Sequence, residues 1–274
     1  MNTPVAILRF VRFPLVWTAL ADSTAGAAVA MASISEWSWE RIAPLFFISP
    51  GLYLFGMGLN DLMDAREDRQ AGRDRPLARD ELSAGLAVGV LVVLLGLVMI
   101  GAACVPAAGL KMVVATLACI AIYNWIAKHW TVTSAIFIAA CRVGNILIGW
   151  GLVAGNWRLD AVAASDTPAA AQVPYIVAQL VAVGALTMTA SIISGMEKRS
   201  GLKSVFGLMP STAILGTLLL LPVADAVCVT LAWGGAPEGA LWLTAVPLVV
   251  FTSAMVRRLR PLPPNATEPP RSDD

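Results

Sequence analysis

Oxygen-bearing side chains crowd into one short segment of the chain. Residues 60 to 68 include Asn60, Asp61, Asp64, Glu67 and Asp68. At about 100° per residue, these five side chains fall within an arc of about 120° on one helix. Carboxylates on one face repel each other, and Mg²⁺ prefers carboxylate, water and phosphate oxygens. The pattern predicts a magnesium site; the alternative is a solvated helix end that marks the membrane surface.

Basic residues placed after the acidic segment could complement it. Arg73 and Arg75 follow it directly, and Tyr123 and Lys128 lie near the end of a later apolar run. A diphosphate needs metal ions and direct cations together, so these side chains are candidate phosphate contacts. Taken singly, the arginines are also typical of the cytoplasmic side of a membrane, and Lys128 of an anchor at the membrane interface.

A second polar group falls inside an apolar run. Arg142, Asn145 and Gly149 follow at positions i, i+3 and i+7, which places a polar and small stripe on one face of a helix. Arginine inside a membrane needs an anion. Asp22, inside the first apolar run, is one candidate partner, and a ligand phosphate is the other.

The elements that must position these residues are predicted to be membrane-spanning helices. Hydrophobic residues make up 58% of the chain and charged residues 14%, against about 25% charged residues in soluble domains. A helix needs about 20 apolar residues to cross a bilayer, and strands would leave unpaired edges in lipid. Eight runs have the length of a span: 14–34, 42–59, 82–103, 106–126, 132–154, 173–195, 209–233 and 238–256. The prediction is an all-α polytopic transmembrane bundle of eight helices.

The basic residues predict the orientation of the bundle. Fifteen of the nineteen lie on the side that holds both termini, and three lie on the other side. Both termini are therefore expected to be cytoplasmic, in a bacterial inner membrane. A single transmembrane domain is predicted over residues 1–260, followed by a disordered tail over 261–274.

Composition also excludes several kinds of chemistry. The net charge is +1 and no basic face is evident, which argues against nucleic acid as a partner. The single histidine, His129, excludes histidine-based metal clusters and catalytic triads with spare partners. The cysteines lie in apolar runs without CxxC spacing and are interpreted as small buried hydrophobes: Cys104, Cys119, Cys141 and Cys228.

Taken together, these motifs resemble the UbiA superfamily of intramembrane prenyltransferases. The family signature is Asn-Asp-x-x-Asp-x-x-x-Asp after the second helix, and its fixed positions are filled here by Asn60, Asp61, Asp64 and Asp68. The Arg-Pro-Leu run that begins at Arg75 is similar to a second family motif. The segment from Tyr123 to Lys128, together with the Cys-Arg-x-Gly-Asn run ending at Asn145, is similar to the EboC branch, found in bacterial gene clusters for secondary metabolism.

The resemblance implies a fold and a set of roles. The family fold has nine helices around a lateral cavity, so a ninth helix is possible. Mg²⁺ would be held by three aspartates and would bind a prenyl diphosphate, while an unidentified aromatic or lipophilic acceptor attacks the prenyl group. The roles implied fall on catalytic and metal-binding Asp61, Asp64 and Asp68, catalytic Lys128, metal-binding Glu197, and substrate-binding Asn60, Arg75, Tyr123, Arg142, Asn145, Glu197 and Lys198.

One departure from the family bears on activity. A second Asp-x-x-x-Asp motif is expected after the sixth helix, closing with a glycine four residues later. Aligning on Gly201 places Glu197 at the second acid and Ile193 at the first, with Ser194 adjacent. The loss of one acid predicts one bound magnesium rather than two.

Three functions follow from these patterns. A magnesium-dependent prenyltransferase is favoured by the complete first motif. A non-catalytic isoprenoid-binding or metabolite-export accessory protein is favoured by the missing acid at Ile193. A secondary transporter would use Arg142 and Asp22 as a substrate site and requires related halves and broken helices, which the sequence does not show.

Overall fold

The computed structural model describes residues 3–156, 158–200 and 210–235, and it contains helices and no strand within those ranges. Short 3₁₀ turns separate several of the α-helices. The helices are α1 (Thr3–Phe10), α2 (Val16–Met31), α3 (Trp39–Ile42), α4 (Leu45–Met63), α5 (Ala65–Gln70), α6 (Ala84–Ala103), α7 (Ala107–Trp125), α8 (Thr131–Ala154), α9 (Leu159–Ala163), α10 (Val173–Ser200) and α11 (Pro210–Trp233).

The long helices confirm an all-helical membrane protein. Five described segments are long and apolar enough to cross a bilayer: Trp39–Met63, Ala84–Ala103, Thr131–Ala163, Pro168–Met196 and Gly216–Trp233. Gly109–Trp125 is a shorter apolar helix. The first seven predicted spans coincide with α2, α4, α6, α7, α8, α10 and α11. The eighth predicted span, 238–256, and the predicted tail, 261–274, lie outside the described residues.

Local sequence accounts for several helix ends. The hydroxyl of Ser83 accepts a hydrogen bond from the backbone N–H of Leu86 at 3.3 Å and caps the start of α6. Pro106 precedes α7, where a missing N–H costs no helical bond. Gly155 follows α8 with φ 72°, a left-handed conformation that glycine adopts without steric cost.

The central helix is α2, whose side chains are small. Fifteen of its sixteen residues are buried, and it packs against α4, α8, α10 and α11. A Cβ atom added to Gly149 on α8 would lie 1.8 Å from the carbonyl oxygen of Ser23, and one added to Gly26 would lie 2.3 Å from that of Ile146. The backbones of α2 and α8 therefore touch directly, as small residues allow in membrane helices.

Apolar clusters lie on both sides of this helix pair. One cluster joins α2 and α8 to α10 and α11, and the other joins them to α4, α6 and α7. Large apolar side chains point outward elsewhere, such as Val92, Val181 and Leu231, which are 64%, 66% and 59% exposed. An aqueous protein would bury such residues, so this outer surface is suited to lipid.

Candidate functional site

The acidic segment lies where α4 meets α5. The sequence predicts one helix through it, whereas α4 ends at Met63 and α5 begins at Ala65, with Asp64 at the junction. The helical bonding pattern nevertheless continues. The Asp64 N–H donates to the Asn60 carbonyl at 3.0 Å, and the Asp68 N–H donates to the Asp64 carbonyl at 2.8 Å. The aspartates therefore keep the shared face that their spacing predicts.

Burial separates the aspartates from the glutamate of the segment. Asp61 and Asp68 are 2% and 3% exposed, Asp64 is half-buried, and Glu67 is exposed. Glu67 lies at the edge of the predicted arc, so a small rotation of the helix turns it to solvent. The acidic face that remains consists of Asp61, Asp64 and Asp68, three of the four residues predicted to bind the metal.

Two arginines contact the first of these aspartates. The guanidinium of Arg12 donates to Asp61 at 2.7 Å, and that of Arg75 lies 3.6 Å from the other oxygen of Asp61. Arg75 was predicted from its position after the acidic segment. Asp61 is therefore held between the N-terminal segment and the loop after α5.

The other two aspartates are each paired with one cation. Arg73 donates to Asp68 at 2.6 Å. Lys128, in the 3₁₀ turn after α7, donates to Asp64. The predicted residue Lys128 thus meets the acidic face, whereas Arg142 does not. We call the three aspartates and their four cations the outer site.

The sequence did not single out Arg12 for this site. It lies 49 residues from Asp61, in a basic N-terminal stretch whose charge also fits membrane topology. In the structure Arg12 has φ 52°, an uncommon conformation for a residue with a side chain, between α1 and a 3₁₀ turn. This break in the chain directs the N-terminal segment back across the acidic face.

The loop after α5 is fixed by further ion pairs. Arg9 on α1 donates to Asp74 at 2.7 Å and to Glu81 at 2.8 Å. Arg69 donates to Asp80 at 2.5 Å. These contacts hold the loop between α5 and α6, which carries two of the cations of the outer site, against the N-terminal helix and α5.

The oxygens at this site suit Mg²⁺ bound together with phosphate. The side-chain oxygen Oδ1 of Asn60 and Oδ2 of Asp61 are buried and accept no hydrogen bond within the described part of the chain. Among the described residues, no group of three or more acidic, cysteine or histidine side chains is close enough together to hold a metal ion by itself. Mg²⁺ is commonly held by one or two carboxylates plus substrate phosphates rather than by an all-protein cage. The residues present therefore fit a metal that arrives with a phosphorylated ligand.

Tyr123 also faces the outer site. Its hydroxyl lies within hydrogen-bonding reach of Ser134, and its electrostatic neighbours include Asp64 and Arg12. The sequence predicted a substrate contact for this residue, and the structure places it beside the acidic face. Tyr53, which the sequence did not single out, has Arg12, Asp61 and Arg142 as electrostatic neighbours.

A second polar cluster lies inside the bundle. Arg142 donates to the carboxylate of Asp22 and, at 2.9 Å, to the hydroxyl of Thr18. The structure thus gives Arg142 the protein partner that was one of two alternatives. The Nδ2 group of Asn145 donates to the carbonyl of Ala19 at 2.6 Å and to Ser49 at 2.9 Å. The predicted polar stripe on α8 therefore faces α2 and α4.

Asp225 and Gln179 complete this cluster. Gln179 on α10 donates to Asp225 on α11 at 2.7 Å. The carboxyl groups of Asp22 and Asp225 lie within hydrogen-bonding reach of each other. A signal for Asp225 was present, because an acid inside an apolar span is a functional-site hypothesis by default. We call Asp22, Arg142, Gln179 and Asp225 the inner site.

The second acid position is only partly described. Ile193 and Ser194 are half-buried on α10, and the alignment of Ile193 with the first acid of the family stays a prediction. The side chains of Glu197 and Lys198, and residue Gly201, lie outside the described residues. Their predicted roles stay predictions.

Comparison with known proteins gives one family. The model of the UbiA prenyltransferase family matches residues 16–269. No curated protein sequence matches significantly. A solved UbiA homologue from Archaeoglobus fulgidus bound to DMAPP and Mg²⁺ is 18% identical, with 92% of this chain and 86% of that chain covered and a TM-score of 0.53. The same homologue bound to GPP and Mg²⁺ aligns with a TM-score of 0.54, 18% identity and the same coverages.

A second solved protein extends the likeness in fold. A digeranylgeranylglyceryl phosphate synthase, studied in membranes, is 15% identical, with 94% of this chain and all of that chain covered and a TM-score of 0.55. At these identities the structural likeness concerns the fold.

Proposed function

This chain belongs to the UbiA prenyltransferase family, and we propose that it transfers a prenyl group from a prenyl diphosphate to a lipophilic acceptor inside the membrane. The observation that carries the proposal is the outer site. Three aspartates of the family signature lie on one buried face, and each is met by a cation drawn from a different part of the chain. A magnesium diphosphate combines charges of both signs, which is what such a site can bind.

The aspartates are proposed to hold the metal. One or two of Asp61, Asp64 and Asp68 would supply carboxylate oxygens to Mg²⁺ together with the substrate phosphates, with Glu197 as a further candidate ligand from the second acid position. When bound, Mg²⁺ supplies positive charge that stabilises the departing diphosphate. The Oδ1 atom of Asn60, which accepts no hydrogen bond among the described residues, would orient a carboxylate or accept a hydrogen bond from water on the metal.

The four cations are proposed to bind the diphosphate directly. Arg73 and Arg75 have side chains that are 50% and 35% exposed, so they can turn from a carboxylate to a phosphate oxygen at small cost. Lys128 and Arg12 contact the same face from other helix ends. Bound cations stabilise the negative charge that develops as the prenyl C–O bond breaks and its electron pair passes to the diphosphate.

The acceptor then completes the reaction. Its nucleophilic atom forms a bond to the allylic carbon and loses a proton. The apolar helices around the site exclude water, which would otherwise compete for that carbon. Tyr123 is proposed to orient the diphosphate end of the substrate, with Lys198 as a further contact.

The neighbours with bound ligands support the donor class. The Archaeoglobus homologue has been solved with DMAPP and with GPP, in each case with Mg²⁺. We infer a prenyl diphosphate donor and Mg²⁺ for this chain on that likeness and on the outer site. The motifs around Tyr123 and Asn145 support placement in the EboC-like branch and a link to secondary metabolism. The distribution of basic residues supports an inner-membrane protein with both termini cytoplasmic.

A second candidate function has its own observation. Ile193 is aligned with an acid of the family, and the loss of that acid would weaken catalysis more than binding. The chain would then be a non-catalytic isoprenoid-binding protein, which binds a prenyl diphosphate and releases it unchanged. The two functions differ in whether diphosphate is released in the presence of Mg²⁺ and lipid extract.

Binding of geranyl thiolodiphosphate to the full chain in membrane vesicles, with and without Mg²⁺, tests the proposal. We expect Asp61→Asn and Asp64→Asn to weaken the Mg²⁺-dependent affinity at least about tenfold, because each removes a charged contact. Glu67→Gln is the matched control, since its side chain is exposed on the same segment. Inside-out vesicles should bind the impermeant probe and right-side-out vesicles should not.

Two results would contradict the proposal. Equal affinity of wild type, Asp61→Asn and Asp64→Asn for the probe would show that these aspartates do not bind the metal. Binding only in right-side-out vesicles would reverse the orientation. Release of diphosphate from geranyl diphosphate by the wild type separates the enzyme from the non-catalytic alternative.

A further inference from the structure

The inner site contains three buried oxygen atoms that accept no hydrogen bond. They are Oδ1 of Asp22, Oε1 of Gln179 and Oδ2 of Asp225. No N–H or O–H group among the described residues donates to them, although the carboxyl groups of Asp22 and Asp225 lie within hydrogen-bonding reach of each other. The three residues are 1%, 0% and 0% exposed. A buried acceptor without a donor is costly, and the large majority of such atoms in folded proteins have a partner.

The described hydrogen bonds from the donors of the inner site go to other acceptors. Both described donor contacts of Arg142 go to Asp22 and Thr18. The amide NH₂ of Gln179 donates to the other oxygen of Asp225. The three atoms left over are acceptors, and two carboxyl groups face one guanidinium. A ligand that fits must bring hydrogen-bond donors and must not bring negative charge.

We propose that Asp22, Gln179 and Asp225 bind the polar end of a lipophilic molecule through a donor group, either a hydroxyl or an ammonium. Resting on the proposed prenyl transfer, this molecule is the acceptor. A second phosphate-bearing molecule is excluded by the surplus of carboxyl groups, since phosphate presents acceptors and negative charge.

The position of the inner site suits an acceptor. Arg142 keeps 16% of its side chain exposed, whereas Asp225 is fully buried. The Arg142 end of the cluster is therefore the end nearer to the outside of the described structure. Arg12 contacts Asp61 of the outer site, and Thr18, six residues later at the start of α2, accepts a hydrogen bond from Arg142 of the inner site. The two sites are thus adjacent, with the diphosphate at the outer one and the acceptor's polar group at the inner one.

Three probes of equal tail length test the proposal: 4-decylphenol, decylamine and the methyl ether 4-decylanisole, which lacks a donor. Their dissociation constants are measured on the full chain in phosphatidylcholine nanodiscs by tryptophan fluorescence. We expect the phenol, the amine or both to bind wild type at least about tenfold more tightly than the ether. A tighter amine would assign a cationic acceptor, and a tighter phenol a neutral hydroxyl.

The matched variants are Asp225→Asn and Asp160→Asn. Asp225→Asn keeps the shape and the acceptor for Gln179 but replaces the free oxygen with a donor, so the preference for donor probes should vanish. Asp160 is an exposed acid paired with Arg158, and its variant should retain the preference. If Asp225→Asn fails to fold, Gln179→Met, which removes the free amide oxygen, should reduce the preference instead.

Equal binding of all three probes to wild type would overturn the proposal, as would an unchanged preference in a folded Asp225→Asn variant. Magnesium-dependent binding of geranyl thiolodiphosphate is measured on the same samples. It should persist in Asp225→Asn, because the outer site is intact. If wild type binds no geranyl thiolodiphosphate but still prefers the phenol or the amine to the ether, the proposed function is refuted. The inner site would then remain as a site for hydrogen-bond donors.

Discussion

The outer and inner sites solve opposite electrostatic problems. At the outer site three aspartates meet four cations, and the arginine partners Arg73 and Arg75 are 50% and 35% exposed. At the inner site the one arginine is 16% exposed and contacts Asp22, and the second acid, Asp225, is paired with Gln179. Two of the three outer aspartates are buried nearly as deeply as these two acids. An excess of cations, of which Arg73 and Arg75 are partly exposed, suits reversible binding of a polyanion. A buried surplus of acceptors holds its arginine firmly and selects ligands that bring donors.

The sites also differ in how the chain builds them. At the outer site the paired residues are 5, 49 and 64 residues apart, and they meet at helix ends and loops. Arg142 lies 120 residues from Asp22, and only the close packing of α8 on α2 joins them. Substitutions at the inner site should therefore be felt in stability, and those at the outer site in ligand binding.

The largest effect is expected for Arg142→Leu. Removing the guanidinium leaves the buried carboxyl group of Asp22 without its cation, which should lower the free energy of unfolding by about 3–5 kcal/mol. Thermal and denaturant unfolding in detergent measures it. Adding Asp22→Asn in the same chain should recover part of the loss, and adding Asp225→Asn should recover more. A stable Arg142→Leu protein would show that the pair contributes nothing to folding.

The next effect concerns the helix contact that builds the inner site. Gly149→Ala would place a methyl group against the backbone of Ser23, where no side chain can yield, and should destabilise by about 3 kcal/mol. Gly89→Ala is the matched control, because nothing lies within 4 Å of the added Cβ, and it should leave the melting temperature unchanged or raise it. Equal melting temperatures for the two variants would mean that α2 and α8 are not in direct contact.

The smallest effect on stability, and a clear effect on binding, is expected for Arg73→Gln. Arg73 is 50% exposed although Asp68 is buried, so water can take the place of the guanidinium and the cost to folding should stay at about 1 kcal/mol. The affinity for geranyl thiolodiphosphate and Mg²⁺ should fall several-fold. Arg158→Gln is the control, because Arg158 is 58% exposed and pairs with an exposed acid, Asp160, at 2.6 Å. If Arg73→Gln loses stability but not affinity, the Arg73–Asp68 pair has a structural role. The outer site would then not differ from the inner site in what its ion pairs contribute.

The sequence predicted features that depend on residue spacing within one segment, and pairs in which a charged residue needs an opposite charge. The acidic face at residues 60–68 follows from helical periodicity, and the spans follow from runs of apolar residues. The pairing of Asp64 with Lys128 agrees with the predicted set, because both fall at helix ends on the same side of the membrane. Asp22 and Arg142 were linked because a buried charge needs a partner.

The remaining contacts depend on how whole helices are rotated. Arg12 reaches Asp61 only because the chain breaks after α1, and no periodicity encodes that break. Gln179 and Asp225 meet because α10 and α11 face each other at that depth. Glu67, predicted with the acids, turns to solvent because it lies at the edge of their arc. Periodicity gives the relative positions on one helix but not the direction in which that helix faces.

The separation between Asp22 and Arg142 has a consequence for biosynthesis. The ribosome makes α2 well before α8, and α11 with Asp225 later still, so Asp22 reaches the membrane when its arginine does not yet exist. An unpaired acid at the centre of a helix raises the free energy of insertion by about 2.5–3.5 kcal/mol. The alanine-rich α2 has few large apolar side chains to offset it. We therefore expect α2 to settle fully in the bilayer only once α8 can supply Arg142, although α2 is made before every other long helix.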